Sequence, residues 1–172
     1  WPDVPTNDPD LSYLVKYHED GFVKARARWA DYLAFTERVN EEGTFVTIPS
    51  FEWHSMRYGD HVVYLRDGQG SDILSPPDLQ ALRKALADRG DGVMLIPHHI
   101  GYERGFRGID WDAFDAQRSP VVETVSFHGS AESCDGPVPY LHAMGPRDAT
   151  GTARHGWKMG HRFGIIGSTD HH

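Results

Sequence analysis

Apolar residues along the chain fall into two rhythms, and the rhythm in each stretch predicts the element there. Residues 1–20 are polar and proline-bearing and read as an irregular lead-in. From about Phe22 to Val39, the residues Phe22, Trp29, Leu33 and Val39 recur at helical spacing, with Asn40 and Gly43 as the stop. The β-branched run Thr44-Phe45-Val46-Thr47-Ile48-Pro49 predicts a buried strand that leads into Ser50-Phe51-Glu52-Trp53-His54. His61-Val62-Val63-Tyr64-Leu65 predicts a second strand. Ser75-Pro76-Pro77-Asp78 opens a helix through Leu79, Leu82 and Leu86, with Ser75 as the cap. Val93-Met94-Leu95-Ile96, Val121 to Phe127 and Phe163 to Ile166 complete the strands, and a helix is expected over 151–161.

Strands alternating with helices predict an α/β fold with a largely parallel sheet in one domain spanning 1–172. The Gly- and Pro-rich stretches 101–119 and 133–150 are expected as loops over the active face. No apolar run approaches the roughly 18 residues that span a bilayer, so no membrane association is expected and the cytoplasm is the default location. Trp1-Pro2-Asp3 lacks an initiator Met and a signal pattern, and the last residue lies inside a motif; the chain therefore reads as a segment of a longer protein.

Composition narrows the chemistry. The net charge of −8, from 25 acids against 17 bases, disfavours nucleic-acid binding, which relies on dense Lys and Arg. A single cysteine, Cys134, excludes an internal disulfide framework and a cysteine-based zinc finger. Histidine is the outlier, at eleven in 172 residues. His18, His142, His155 and His161 stand apart from strand ends and read as surface residues. The others gather where strands begin or end: Glu52 with His54, His61, His98 with His99, and Asp170 with His171 and His172. Glu123 and His128 lie within and after the strand at 121–127, with Glu123 as suited to orienting a ligating histidine as to ligating directly. Loops at strand ends converge on one point in α/β folds, and mixed imidazole and carboxylate donors suit Zn, Mn or Fe.

The runs Phe51-Glu52-Trp53, Gly59-Asp60-His61-Val62-Val63-Tyr64, Ile96-Pro97-His98, Val122 to Glu132 and Gly167-Ser168-Thr169-Asp170-His171-His172 resemble the PHP (polymerase and histidinol phosphatase) superfamily. The nearest likeness is to its DUF3604 branch of uncharacterised proteins, over roughly residues 44–172. The resemblance implies the C-terminal, larger part of a distorted (β/α)7 barrel holding two or three divalent metal ions. It implies Glu52 as a bridging carboxylate, His61 and His98 as ligands of the same ion, and Asp170 and His172 as ligands of different ions. The family's opening His-x-His and its later Thr-Asp-His do not precede Glu52, so the site in this chain would be incomplete.

The implied reaction is hydrolysis of a phosphate ester on a small phosphorylated molecule by metal-activated water. His99 or His128 is then a candidate proton donor to the leaving group, and Arg57 and Arg104, with Arg107 as a further option, are candidate phosphate contacts. Two other readings stay open: a metal-dependent amidohydrolase-like enzyme acting on C–N or C–O bonds, and a catalytically incomplete domain that binds metal or a partner structurally.

Overall fold

A computed structural model of the chain describes residues 1–5, 7–136 and 147–170. The N-terminal region is helical earlier than the sequence pattern predicts. Helix α1 (Ser12–Ala27) starts where Asp8 Oδ1 accepts the backbone N–H groups of Asp10 (3.0 Å) and Leu11 (2.8 Å), capping the turn that leads into it. Val15 is its one buried residue and packs with Trp1, Val4 and Met56. The chain breaks at Arg28 (φ −107°, ψ 0°) and resumes as α2 (Trp29–Val39), which buries Trp29 and sets Leu33 against the core.

The run 44–49 is not a buried strand. Phe45, Val46 and Ile48 are 59%, 68% and 48% exposed, and Phe45 only bridges back to Glu41. The strand proper, β1 (Ser50–Trp53), begins after Pro49 and pairs antiparallel with β2 (His61–Leu65). Helix α3 (Leu79–Ala85) is capped by Asp78, whose Oδ1 accepts from Ala81 N at 2.7 Å, so Ser75 and both prolines lie outside it. β3 (Val93–Pro97) adds to β2, again antiparallel. A second sheet is built on β4 (Val121–Ser126), flanked by the short antiparallel β5 (Gly129–Ser130) and the parallel β6 (Gly164–Gly167). Between β5 and β6 lies α4 (Ala153–Lys158), capped by Thr152.

This arrangement overturns the expected PHP-type barrel and its largely parallel sheet. The described residues form two three-stranded sheets and no closed barrel, and β4 with β6 is the one parallel pairing among the named strands. The reason is local. The turn at 54–60 joins β1 to β2 as a hairpin, whereas a parallel neighbour needs a crossover of a dozen or more residues. No helix among the described residues is long and apolar enough to cross a membrane.

One apolar cluster sits under the first sheet, where Phe51, Trp53, Val63, Leu65 and Leu95 meet Trp29 and Leu82. Trp53, Val63 and Leu82 are wholly buried. At about 1.5–3 kcal/mol for each large apolar side chain buried, this layer fixes the strands whose ends carry the site. A second cluster, of Tyr102, Trp111, Val122 and Ala153 among others, anchors β4. The two sheets approach along β3 and β4, with Leu95 N donating to Arg118 O at 2.9 Å.

Candidate metal centre

Because the first sheet is antiparallel, the end of β1, the start of β2 and the end of β3 lie side by side, with Trp53, His61 and Pro97 in register. Residues paired across strands share a face, and alternate residues along a strand point opposite ways. Trp53 and His61 therefore face the apolar core, and Glu52, paired with Val62 and beyond it Ile96, faces the other side. His61 is buried with Nδ1 2.9 Å from Gly59 O. Burial pulls its pKa down to about 4, and it does not join the cluster that Glu52 heads.

His98 continues the face of Ile96 beyond β3, and its Nε2 lies 2.5 Å from Glu52 Oε1. Normally His99 would point away. Its positive φ of 34° breaks the alternation, so the two imidazoles lie with ring centroids 3.8 Å apart. His99 Nε2 lies 3.7 Å from both Glu52 Oε1 and Asp60 Oδ2. His54 is on the same side, 3.6 Å from Glu52 Oε2 and from Asp60 Oδ2.

Asp60 is wholly buried. Its Oδ1 accepts Ser55 N at 2.9 Å, and its Oδ2 accepts Arg107 Nε (2.9 Å) and Nη2 (2.7 Å). Asp60 could close a metal group with Glu52, His98 and His99, but both its oxygens are already engaged. Its geometry is that of an anchor, which holds Arg107 and orients His54 and His99. Burial pushes the Asp60 pKa upward, and Arg107, His54 and His99 outweigh that and hold it well below the carboxylate range. At Glu52, too, the penalty of burial is outweighed, by His98, His99 and His54, and the carboxyl stays ionised. His98 feels the same pair from the other side. Burial opposes its charge, but the Glu52 contact raises its pKa to about 9.

A second group adjoins the first through His99. His128 follows β4, and Tyr102 fixes its ring with a hydroxyl 2.8 Å from Nδ1. His128 Nε2 lies 3.0 Å from Asp170 Oδ2 without the alignment of a hydrogen bond. His99, His128 and Asp170 each place a donor atom within 4.8 Å of the others, as do Glu52, Asp60, His98 and His99. Chiefly burial, then neighbouring His99, lowers the His128 pKa to about 4. Glu123 sits behind this centre, hydrogen-bonded to Ser168 Oγ, with its Oε1 4.0 Å from His98 Nδ1.

Two observations test whether a metal ion fits. Nδ1 of His99, Oε1 of Glu123 and Oδ2 of Asp170 are buried without a hydrogen-bond partner, and a lone buried polar atom costs about 1–3 kcal/mol. Among the described residues, the three non-glycine ones with positive φ are His99 (34°), Arg107 (67°) and Asp170 (52°), and all three lie at this centre. Strain of this kind collects at ligand-holding sites. Orphaned donors of imidazole and carboxylate type, held in strained backbone, fit a divalent ion of the Zn, Mn or Fe class.

A cavity of ≈ 380 Å³ opens onto the centre, lined by Glu52, His54, His99, Arg107, His128 and Asp170 together with apolar residues. Of the positions expected from sequence, Glu52, His98, His99, His128 and Asp170 come together here, and His172 lies outside the described residues. Arg57 lies over the ring of Tyr58, and Arg104 is paired with Asp110 (2.7 Å) and Asp112 (2.8 Å); neither lines the cavity. Arg107 does. His18, expected at the surface, is half-buried and lies 4.7 Å from His54 between ring centroids. His142 falls outside the described residues. The sequence reading assigned no role to Asp60 or Tyr102. The only signal for Asp60 was a charged residue directly before a ligand-rich strand, and for Tyr102 there was none.

No protein-family model matches the chain, and neither a curated protein nor a solved structure matches it.

Proposed function

We propose that this chain carries a divalent-metal site that hydrolyses phosphate esters of small molecules. The observation that carries the reading is the convergence of Glu52, His98, His99, His128 and Asp170 into two donor groups sharing His99, beside an open cavity. A divalent ion held there would polarise a phosphoryl oxygen and make water acidic enough to act as nucleophile near neutral pH. Glu52, His98 and His99 would hold an ion in one donor group, and His99, His128 and Asp170 in the other.

The rest of the chemistry falls to the chain's own residues. Arg107 is locked by Asp60 through Nε and Nη2, which leaves Nη1 without a hydrogen bond among the described residues and available to an anion. It replaces Arg57 and Arg104 as the phosphate contact. Tyr102 sets the ring orientation of His128, and His54 bridges the Glu52 and Asp60 carboxylates from the side nearest α1. Hydrolysis forms a bond from the water oxygen to phosphorus and breaks the bond to the ester oxygen. The departing oxygen takes up a proton, and His54 and His18 are the imidazoles at the cavity not counted among the donor groups.

The test is a panel of phosphomonoesters, phosphodiesters, amides and lactones offered to the full chain loaded with Zn, Mn or Fe. Turnover of phosphoesters that is abolished by chelator is the expected result. Binding of metal with every phosphoester left intact refutes the phosphoesterase reading, and cleavage of an amide or lactone instead would assign the site to C–N or C–O bonds.

A further inference from the structure

We infer that the substrate of this site carries a planar aromatic group, seated in a groove between α1 and β1. This inference rests on the phosphoesterase reading and specifies its substrate class. Helix α1 buries one residue of sixteen, so its inner face is not closed against the sheet. His18, Gly21, Phe22 and Ala25 share that face at helical spacing and form one wall of a groove of ≈ 550 Å³. Phe51 and Ile73 form the other wall, and Tyr17 extends the aromatic lining. Such a volume matches a small-molecule pocket.

The groove is chemically polarised. Tyr17, Phe22, Phe51 and Ile73 line its body together with Asp20 and Lys24, and Glu52, His54 and His18 line the part it shares with the metal-centre cavity. Phe22 presents its ring edge-on to His54, with centroids 5.9 Å apart and an interplanar angle of 82°, so the aromatic lining reaches the catalytic end. A ligand filling both spaces is anionic at one end, beside Arg107, and flat and mostly apolar at the other, where Tyr17, Phe22 and Phe51 outnumber Asp20 and Lys24. Aryl phosphates have this form, whereas small alkyl phosphates would leave the groove wet and gain nothing from it.

Gly21 gives a clean means of filling the groove. A Cβ built there meets nothing within 4 Å, and replacing a helix-interior glycine does not weaken the helix. The experiment compares phenyl phosphate with methyl phosphate as substrates of the metal-loaded full chain, in the wild type, Gly21→Trp and Phe22→Ala. Alongside it, calorimetry measures binding of phenylphosphonate and methylphosphonate, which do not hydrolyse. The expected result is a KM at least about tenfold lower for phenyl phosphate, an advantage lost in Gly21→Trp and reduced in Phe22→Ala. Equal KM values for the two esters, or an aryl preference that survives Gly21→Trp, overturns the groove assignment and leaves the phosphoesterase reading standing. Hydrolysis of neither ester counts against the phosphoesterase reading. In that case the phosphonates decide the groove: tighter binding of the phenyl compound, lost in Gly21→Trp, supports it, and equal or absent binding overturns it.

Discussion

Replacing Arg107 with Met should destabilise the chain by about 3–5 kcal/mol, the cost expected when a buried ion pair loses one partner. Asp60 is wholly buried and Arg107 is 7% exposed, so loss of the guanidinium leaves the carboxylate largely desolvated. Arg107 approaches Asp60 Oδ2 at 2.7 Å and 2.9 Å. At that separation, an effective dielectric of about 20 gives an attraction of roughly 6 kcal/mol, part of which offsets the desolvation of both ions. Met keeps most of the side-chain volume, so the loss reports the charge and not a cavity. Ser55 N would remain the one backbone donor to the Asp60 carboxylate among the described residues. Arg107→Lys should recover only part of the loss, because an ammonium cannot reproduce the Nε and Nη2 fork. The assay is urea denaturation followed by tryptophan fluorescence, with the double mutant Asp60→Asn/Arg107→Met closing a cycle. Removing both charges should cost less than removing Arg107 alone. A loss below about 1 kcal/mol for Arg107→Met, or a double mutant as unstable as the sum of the single ones, refutes the claim that this pair anchors the site.

Tyr102→Phe removes the hydroxyl that fixes His128 and should weaken metal binding by about 10–100-fold while the chain stays folded, as read by metal titration beside circular dichroism; unchanged affinity would remove Tyr102 from the site. His61 governs a pH effect. Its pKa falls from 6.5 to about 4 on folding, so the folded state disfavours its proton: its contribution is fully present above about pH 6.5 and is lost as pH falls toward about 4. Stability curves across that window should fall less steeply for His61→Gln, by about one proton's worth of slope, and equal slopes would contradict the burial of a neutral imidazole.

The sequence anticipates which ligand-type side chains converge better than it anticipates the fold. Glu52, His98, His99, His128 and Asp170 are legible because polar, ligand-type side chains at the ends of apolar strands have few other reasons to be there. The architecture was misread because periodicity reports burial and not strand direction. His61-Val62-Val63-Tyr64-Leu65 reads the same whether it runs parallel or antiparallel to its neighbours, and only the hairpin at 54–60 decides. The run 44–49 shows the other weakness, since β-branched residues favour extended backbone without guaranteeing a partner. His61 looked equivalent to His98 as a ligand, but the register puts it on the core face, one residue out of phase with Glu52. That Arg107, and not Arg57 or Arg104, lines the cavity is not legible in the sequence, because its partner Asp60 lies 47 residues earlier in the chain.

The central claim is that Glu52, His98, His99, His128 and Asp170 bind a divalent metal ion, as opposed to forming a self-sufficient network of charges. The most direct test is the metal content of the purified full chain after equilibration with Zn, Mn or Fe, determined by plasma mass spectrometry for the wild type, His98→Ala, Asp170→Asn and the control His155→Ala. The account predicts at least one tightly held ion per chain in the wild type and the control, with reduced content in His98→Ala and Asp170→Asn. A wild type that binds no metal, or His98→Ala and Asp170→Asn with undiminished content, would contradict it.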